Sequence, residues 1–319
     1  MRDGRAGQRR EYALSEVVGF VLLLGVLTAA IALWMIYVVP VHGREDEITQ
    51  MNSVKDQFTN YKISLDSLWI NSPYGASWSQ NGVTLSTSFD LGTGGGNTQA
   101  SGFFLPMINP IASSATMSLL NTGDTMTIVS NGPSGINNTV YNMTILQYQS
   151  QNNYWIQQTY YYEDGGVFLT QLNGSVCRVA PPISFVNNSD TTYTVAITPI
   201  TLNGVSNIGG NGPVRVDTRL KTIQAPITGK VYWVNTSVSV ANYTMAQIWL
   251  GIFNTTRANG GILNQQYYQC GNSSPSAIPG VAFMNITGTY NDLINPDVNM
   301  VIQPVQYDVT LNSIVSNLN

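Results

Sequence analysis

The side chains that could carry out catalysis are few, and their spacing does not assemble a reaction centre. His42 is the only histidine of the chain, so no second histidine can share a metal with it. No serine stands in a convincing nucleophile elbow, which leaves a Ser-His-Asp triad without a basis. The carboxylates beyond residue 72 are scattered, and only a glycosidase, with two of them facing across a cleft, stays open on spacing alone. We predict that the chain is not an enzyme and binds no metal or cofactor.

Two groups of residues allow a second interpretation. Glu163-Asp164-Gly165-Gly166 is typical of a hairpin turn. The tyrosines at 160–162 and 267–268 could form platforms on which sugars stack, although aromatic residues in strands more often pack in a core.

The two cysteines, Cys177 and Cys270, are 93 positions apart in the C-terminal part of the chain. An even number of cysteines in an exported protein favours a disulfide, whereas two free buried thiols are the alternative. We expect the disulfide.

Candidate N-glycosylation sites are numerous and lie far from the N-terminus. An acceptor asparagine needs a serine or threonine two positions later and an exposed side chain. The pattern occurs at Asn137, Asn142, Asn173, Asn187, Asn235, Asn242, Asn254, Asn272 and Asn285. Because the chain is rich in Asn, Ser and Thr, several of these arise by chance.

The composition is polar but poor in charge. Charged residues make up 9% of the chain and the net charge is −4, whereas ordinary soluble proteins carry about 25% charged residues. Beyond the N-terminal arginines the basic residues are scattered singly, so we expect no nucleic-acid partner. Many aromatic and β-branched residues favour an exported, β-rich protein.

One long apolar element must position everything else. Residues 17–39 contain no charge, and a helix of that length, roughly 35 Å, can cross a bilayer core of about 30 Å. Arginines precede this run and the acidic residues 45–47 follow it. Because basic residues stay on the cytoplasmic side, we predict a single-pass protein of the cytoplasmic membrane with its N-terminus inside and its C-terminal part extracellular.

Glu16 stands directly before this run, after Arg9-Arg10 and a short spacer. The pattern Ser-Glu-Val-Val-Gly-Phe followed by a long apolar helix resembles the N-terminus of archaeal type IV pilin-like proteins, which carry a class III signal peptide. The resemblance covers about residues 9–39 and extends at most to Trp69.

The resemblance implies that a prepilin peptidase removes the basic leader, residues 1–11, and leaves the apolar helix as the core of a filament. Cleavage between Glu11 and Tyr12 would make Glu16 the fifth mature residue, which in that family pairs with the new amine of a neighbouring subunit. Glu11 stands where the family usually has Gly or Ala. A cut after Gly7 would instead place Glu16 at the ninth position.

Residues 44–72 are predicted to form an amphipathic helical stalk after a break or kink at Pro40 and Gly43. Its apolar positions recur every three or four residues, at Met51, Val54, Phe58, Tyr61, Leu65 and Leu68. This seam either packs on the chain's own C-terminal part or contacts neighbouring subunits in a filament, and both can hold together.

Residues 73–319 are predicted to form a mainly antiparallel β-sandwich head, so the fold class is α+β. A boundary near Pro181-Pro182 would divide the head in two. The predicted strands are Val83–Phe89, Thr116–Leu120, Thr125–Ser130, Thr139–Gln149, Tyr154–Tyr162, Val167–Leu172, Thr192–Leu202, Val214–Thr222, Val231–Val240, Val281–Tyr290 and Met300–Leu311. Pro304 suggests that the last strand lies at an edge. Residues 243–253 are compatible with either a short helix or a strand.

Two functions follow from these features. The first is a structural subunit, major or minor, of an archaeal surface filament, with partners in the membrane, in other copies of the chain and in the assembly machinery. The second is a permanently anchored surface protein whose head binds carbohydrate or another envelope component.

Overall fold

The structure, a computed structural model, describes residues 4–72, 83–93, 109–189, 192–288 and 297–313, with the backbone alone for residues 4–16 and Ser189. The helices are α1 (Gly4–Leu33), α2 (Val39–Ile70) and α3 (Tyr243–Asn259), and a π-helical turn, Trp34–Val38, joins α1 to α2. The strands are β1 (Thr84–Asp90), β2 (Ser114–Gly132), β3 (Gly135–Gln151), β4 (Gln158–Glu163), β5 (Gly166–Gln171), β6 (Gly174–Val179), β7 (Ile183–Ser189), β8 (Thr192–Ile197), β9 (Ile200–Asn203), β10 (Ser206–Gly210), β11 (Pro213–Ile223), β12 (Ile227–Val231), β13 (Trp233–Val240), β14 (Tyr268–Asn272), β15 (Gly280–Thr287), β16 (Val298–Ile302) and β17 (Val305–Ser313). A long N-terminal helix followed by a mainly antiparallel β-rich head confirms the predicted α+β class.

The N-terminal helix continues through the position where the sequence predicted a break or a kink. Pro40 cannot donate a backbone hydrogen bond, and its ring crowds the carbonyl of Ile36 one turn earlier. The π turn ends at Val38, directly before α2. Because a π turn shifts the hydrogen-bonding register by one residue, it accommodates the proline without ending the helix. The apolar segment and the stalk are therefore one continuous helical rod.

Three sheets build the head. The largest has the strand order β14-β15-β13-β2-β3-β4-β5-β6, with β10 paired to β2. The other two have the orders β1-β11-β17-β9 and β12-β16-β8-β7. Every pair is antiparallel except β17 with β9 and β16 with β8. All predicted strands overlap with observed ones, and Tyr290 lies outside the described residues. Strands β6, β7, β10, β12 and β14 were not predicted.

The head contains two hydrophobic cores that no single cut in the sequence separates. The proximal core packs α2 between the sheet of β1, β11, β17 and β9 and the strands β4 and β5. The distal core packs α3 among β7, β8, β13, β15 and β16. Strands β2 and β3 contribute one half of their length to each core. A boundary at residues 181–182, which the sequence left open, therefore does not separate the two cores.

The β4–β5 hairpin lies between the two cores and is buried on both faces. Tyr160 and Tyr162 point into the proximal core, while Tyr161 and Phe168 point into the distal one. Strands buried on both faces need continuous apolar runs, which explains the consecutive tyrosines. The three tyrosines are thus packing residues and do not form a platform for sugars.

The prediction that Pro304 marks an edge strand is wrong. Strand β16 lies between β12 and β8, and β17 lies between β11 and β9. Pro304 occupies the crossing from one sheet to the next, and Pro199 lies at the same crossing between β8 and β9. A proline is tolerated there because the ladder is interrupted in both neighbouring segments, so no hydrogen-bond donor is missed.

Helix α3 settles the segment that the sequence left undecided. The side chain of Asn242 accepts a hydrogen bond from the Met245 backbone N–H at 3.0 Å, the usual N-cap interaction. Trp249 and Phe253 on its inner face are fully buried in the distal core.

Candidate functional site: the N-terminal helix and its attachment to the head

The apolar part of the N-terminal helix projects from the protein without covering. From Val17 to Ile36 every side chain is exposed, Val26 by 70%. It is the one helix among the described residues that is long and apolar enough to cross a membrane. Burial begins at Val39, so the same helix changes from fully exposed to partly buried within a single turn.

Glu47 attaches the stalk to the head at this transition. Its Oε1 accepts a hydrogen bond from the backbone N–H of Asn153 at 2.6 Å. Its Oε2 accepts from Tyr154 at 2.8 Å and from Trp155 at 2.6 Å. Glu47 is only 1% exposed, and the three donors belong to the loop between β3 and β4. Charge-assisted bonds of this kind are stronger than neutral ones, so a short loop is held firmly against α2.

Two further contacts beside Glu47 hold the same loop. A Cβ atom added to Gly43 would lie 2.4 Å from Cδ2 of Tyr154, so the tyrosine ring rests directly on the helix backbone. The guanidinium of Arg44 lies 4.4 Å from the ring centroid of Trp155, a cation–π distance. We call Gly43, Arg44, Glu47 and loop residues 153–155 the collar.

The predicted seam of the stalk packs into the chain's own head. Met51, Val54, Phe58, Tyr61 and Leu65 are buried in the proximal core, and Leu68 packs against it. Phe58 lies 5.0 Å from Phe89 between ring centroids, and the Tyr61 hydroxyl lies 2.8 Å from Oγ1 of Thr218. These side chains are therefore not available to neighbouring subunits. Of the two alternatives for the seam, the structure shows the one within the chain.

The residues assigned to processing and assembly lie in α1. The helical backbone includes Glu11, Tyr12 and Glu16, and their side chains lie outside the described residues. Cleavage after Glu11 therefore stays a prediction, as does the role of Glu16.

The predicted disulfide is absent: Cys177 and Cys270 are free. Cys177 lies in β6 and Cys270 in β14, the two opposite edges of the largest sheet. Each thiol has its own acceptor, the Val179 carbonyl at 3.3 Å and Oδ1 of Asn254 at 3.2 Å. Burial raises the pKa of Cys177 to about 11, so this thiol is protonated at neutral pH.

The acceptor asparagines divide into two groups by exposure. Asn137, Asn142, Asn173 and Asn242 are exposed, whereas Asn187, Asn235, Asn254, Asn272 and Asn285 are partly buried. Within the second group, the side-chain oxygens of Asn187, Asn235 and Asn285 and the nitrogen of Asn272 are buried and have no hydrogen-bond partner. Exposure therefore favours the first group for modification.

Buried carboxyl groups at the tip of the β4–β5 hairpin were not predicted. Asp164 and Gly165 have φ values of +45° and +79°, which confirms a tight turn between paired Glu163 and Gly166. Glu163 is fully buried and Asp164 is 2% exposed. Burial raises the pKa of Glu163 well above its usual range, helped by the charge of Asp124.

The pKa of Asp164, the neighbour of Glu163, is raised for the same reason. Burial raises the pKa of Asp164 to about 8, although the Ile200 backbone N–H donates to Oδ1 at 2.8 Å and lowers it. A buried carboxyl without a cation is more stable protonated. Nothing in the local sequence signals this, because a hairpin tip is normally exposed.

The burial of Glu47, by contrast, could have been predicted from the sequence. The buried positions of α2 include Val39, Gly43, Glu47 and Met51, each four residues after the last, so extending the seam backwards would have placed Glu47 on the head side.

No protein-family model, curated protein or solved structure matches this chain. Within the described residues, no group of three or more His, Cys, Asp or Glu side chains could hold a metal ion. Among the described residues, the exposed apolar helix and the collar are the features that bear on function.

Proposed function

We propose that this chain is a subunit of a type IV pilus-like surface filament, held in the cytoplasmic membrane by its N-terminal helix before assembly. The observation that carries the proposal is the continuity of the helical rod from α1 into the head. The apolar part is exposed on all sides, while the part after Val39 belongs to the proximal core.

The collar supports a filament more than a simple anchor. A tethered receptor needs only a flexible connection between membrane and head. In a filament, by contrast, all heads must stand in the same orientation to the helices that pack in the core, because a repeating assembly uses one interface many times. Three hydrogen bonds to Glu47 and the rings of Tyr154 and Trp155 fix that orientation.

The outward face of α2 offers a surface for neighbours. Ile63 and Ile70 are 56% and 63% exposed, and their spacing of seven places them on one side of the helix, away from the buried seam. Contacts between copies would use this side together with the apolar part of α1.

N-terminal mass spectrometry of the protein from native membranes and from sheared surface filaments tests the proposal. We expect a mature start at or near Tyr12 and the protein in the sheared fraction. The Glu16→Ala variant should still insert into the membrane but leave the sheared fraction, whereas the Glu45→Ala variant, altered at an exposed stalk residue, should assemble normally.

An intact leader that retains Arg9 and Arg10 would overturn the filament proposal. The chain would then be a permanently anchored surface protein.

A further inference from the structure

The outer face of β13 and β15 differs chemically from the other exposed surfaces of the head. Along β13 the side chains alternate between the distal core and the outside, as they do along β15. Those that point outwards do not belong to either core, whereas α3 packs with the inward-pointing residues of the two strands in the distal core. On this face, each residue of β13 and its antiparallel partner in β15 form a row across the two strands.

Three successive rows place two aromatic rings on either side of a pair of amides. Trp233 lies opposite Thr287, Asn235 opposite Asn285, and Ser237 opposite Phe283. Residues two positions apart on a strand are about 7 Å apart. The indole and the phenyl ring are therefore roughly 14 Å apart along the strands, with both amides at the midpoint. We call this arrangement the aromatic–amide platform.

The platform is surrounded by neutral side chains. The register continues from Asn235 to Val129 in β2 and from Asn285 to Gln269 in β14. Beside Phe283 the neighbouring position in β14 is Gly271, which has no side chain to cover the ring. The outward-facing rows, from Trp233 through Asn235 and Ser237 to Ser239, carry no ionisable group in the paired positions of β2, β14 and β15. A charged ligand would find no counter-charge here.

The amide groups of the platform have unused hydrogen-bonding capacity. The side-chain oxygens of Asn235 and Asn285 are buried and have no hydrogen-bond partner. An amide carries one acceptor and two donors, so rotation of either side chain can pair the two residues with each other and turn the remaining donors and acceptors outwards. Hydroxyl groups of a ligand could then meet amides, while its C–H surfaces meet the rings.

We infer that the aromatic–amide platform binds a short, linear, neutral oligosaccharide lying parallel to β13 and β15. Such a ligand presents hydroxyl groups at its edges, apolar C–H groups on its ring faces, and no charge. Its end units would stack on Trp233 and Phe283, and its central unit would hydrogen-bond to Asn235 and Asn285. This activity does not depend on assembly into a filament.

Asn235 and Asn285 are also candidate N-glycosylation sites. A glycan attached to either residue is therefore the alternative occupant of the platform. Asn235 and Asn285 start the patterns Asn-Thr-Ser and Asn-Ile-Thr. A glycan attached to either residue would itself cover the face. Peptide mass spectrometry of the native protein distinguishes a free platform from one covered by an attached glycan. We expect unmodified asparagines at both positions, and attached glycans would overturn the inference.

The binding experiment uses the full chain in detergent micelles, produced in a host without N-glycosylation. Laminarihexaose, mannohexaose and acetylated chitohexaose at millimolar concentration serve as neutral probes, and an oligogalacturonate serves as the charged probe. We expect saturable binding of at least one neutral probe, measured by calorimetry and by quenching of tryptophan fluorescence, and no binding of the charged one. Failure of all the neutral probes would overturn the inference.

Variants connect the binding to the platform. Trp233→Ala should weaken binding at least about tenfold, because it removes one of the two stacking rings, and Trp233→Tyr should restore most of it. Trp155→Ala is the matched control, because Trp155 is a partly exposed tryptophan of the collar. If Trp233→Ala does not fold, Ser237→Lys, which introduces a charge at a partly exposed position directly beside Phe283, should abolish binding. Equal binding by wild type and Ser237→Lys would refute the site.

Discussion

Replacing Glu47 with glutamine tests the collar by removing a charge while keeping the shape of the side chain. In the wild type the carboxylate accepts three backbone hydrogen bonds, from Asn153, Tyr154 and Trp155, at 2.6–2.8 Å. Glutamine has one oxygen, so it can satisfy the two donors at the Oε2 position, and its NH₂ group must then face the third donor. Two neutral bonds therefore replace three charge-assisted ones.

The expected loss follows from the value of each bond. Hydrogen bonds to charged groups contribute about 1.5–3 kcal/mol each, and neutral ones about 1 kcal/mol. With the lower value for each charge-assisted bond, the difference is roughly 2.5–3 kcal/mol for opening of the loop. No reduction for solvent screening applies, because Glu47 is 1% exposed. A change of that size raises the population of the open loop by about two orders of magnitude at 25 °C.

Hydrogen exchange of the three loop amides measures this population directly, since these amides are the donors. We expect residues 153–155 of the Glu47→Gln variant to exchange about a hundredfold faster. Glu45→Gln is the control: Glu45 lies on the same helix, is exposed, and its carboxylate is 3.8 Å from Nδ1 of His42, so its loss should leave the exchange of the loop amides unchanged. Equal exchange in the two variants would refute the structural role of Glu47.

Three further predictions concern the cores and the thiols. Because burial raises the pKa of Asp164 to about 8, the folded state favours the protonated acid. The wild type should therefore lose stability as the pH rises from about 4 to 8, by at most roughly 5 kcal/mol. Asp164→Asn should reduce this slope in denaturant unfolding at pH 5 and pH 8, and an unchanged slope would contradict the assignment. Phe58→Ala should lower the free energy of unfolding by about 3–5 kcal/mol, whereas Ile63→Ala on the exposed side should change it by less than about 0.5 kcal/mol; similar losses would place Phe58 outside the core. Alkylation of the denatured, unreduced protein should add two adducts, at Cys177 and Cys270, and an intact mass without adducts would restore the disulfide.

The sequence predicted the elements whose pattern is local. The uncharged run before Val39 and the three-to-four spacing of the seam both specify a helix, since a helical face is defined by neighbours within one or two turns. Alternation with period two located the predicted strands of the head, because that pattern is also local. The tight turn at Asp164 and Gly165 was recognisable for the same reason.

Some predictions failed where a local pattern has two physical outcomes. A proline within a strand pattern can mark an edge or a crossing between sheets, and Pro304 marks a crossing. Two cysteines can pair or stay apart, and Cys177 and Cys270 lie on opposite edges of one sheet. Pro40, near the start of α2, can end or kink a helix or be accommodated within it, and here a π turn directly before α2 accommodates it.

By itself, then, the sequence determined the membrane-spanning potential of the N-terminal helix, the amphipathic stalk and the β-rich character of the head. Only the tertiary structure decided that Glu47 meets backbone donors more than 100 positions away, and that Asn235 and Asn285 stand side by side between two aromatic rings. The physical reason is that strand register and helix docking are selected by the burial of whole faces. The partners of one residue therefore depend on every other residue in the core.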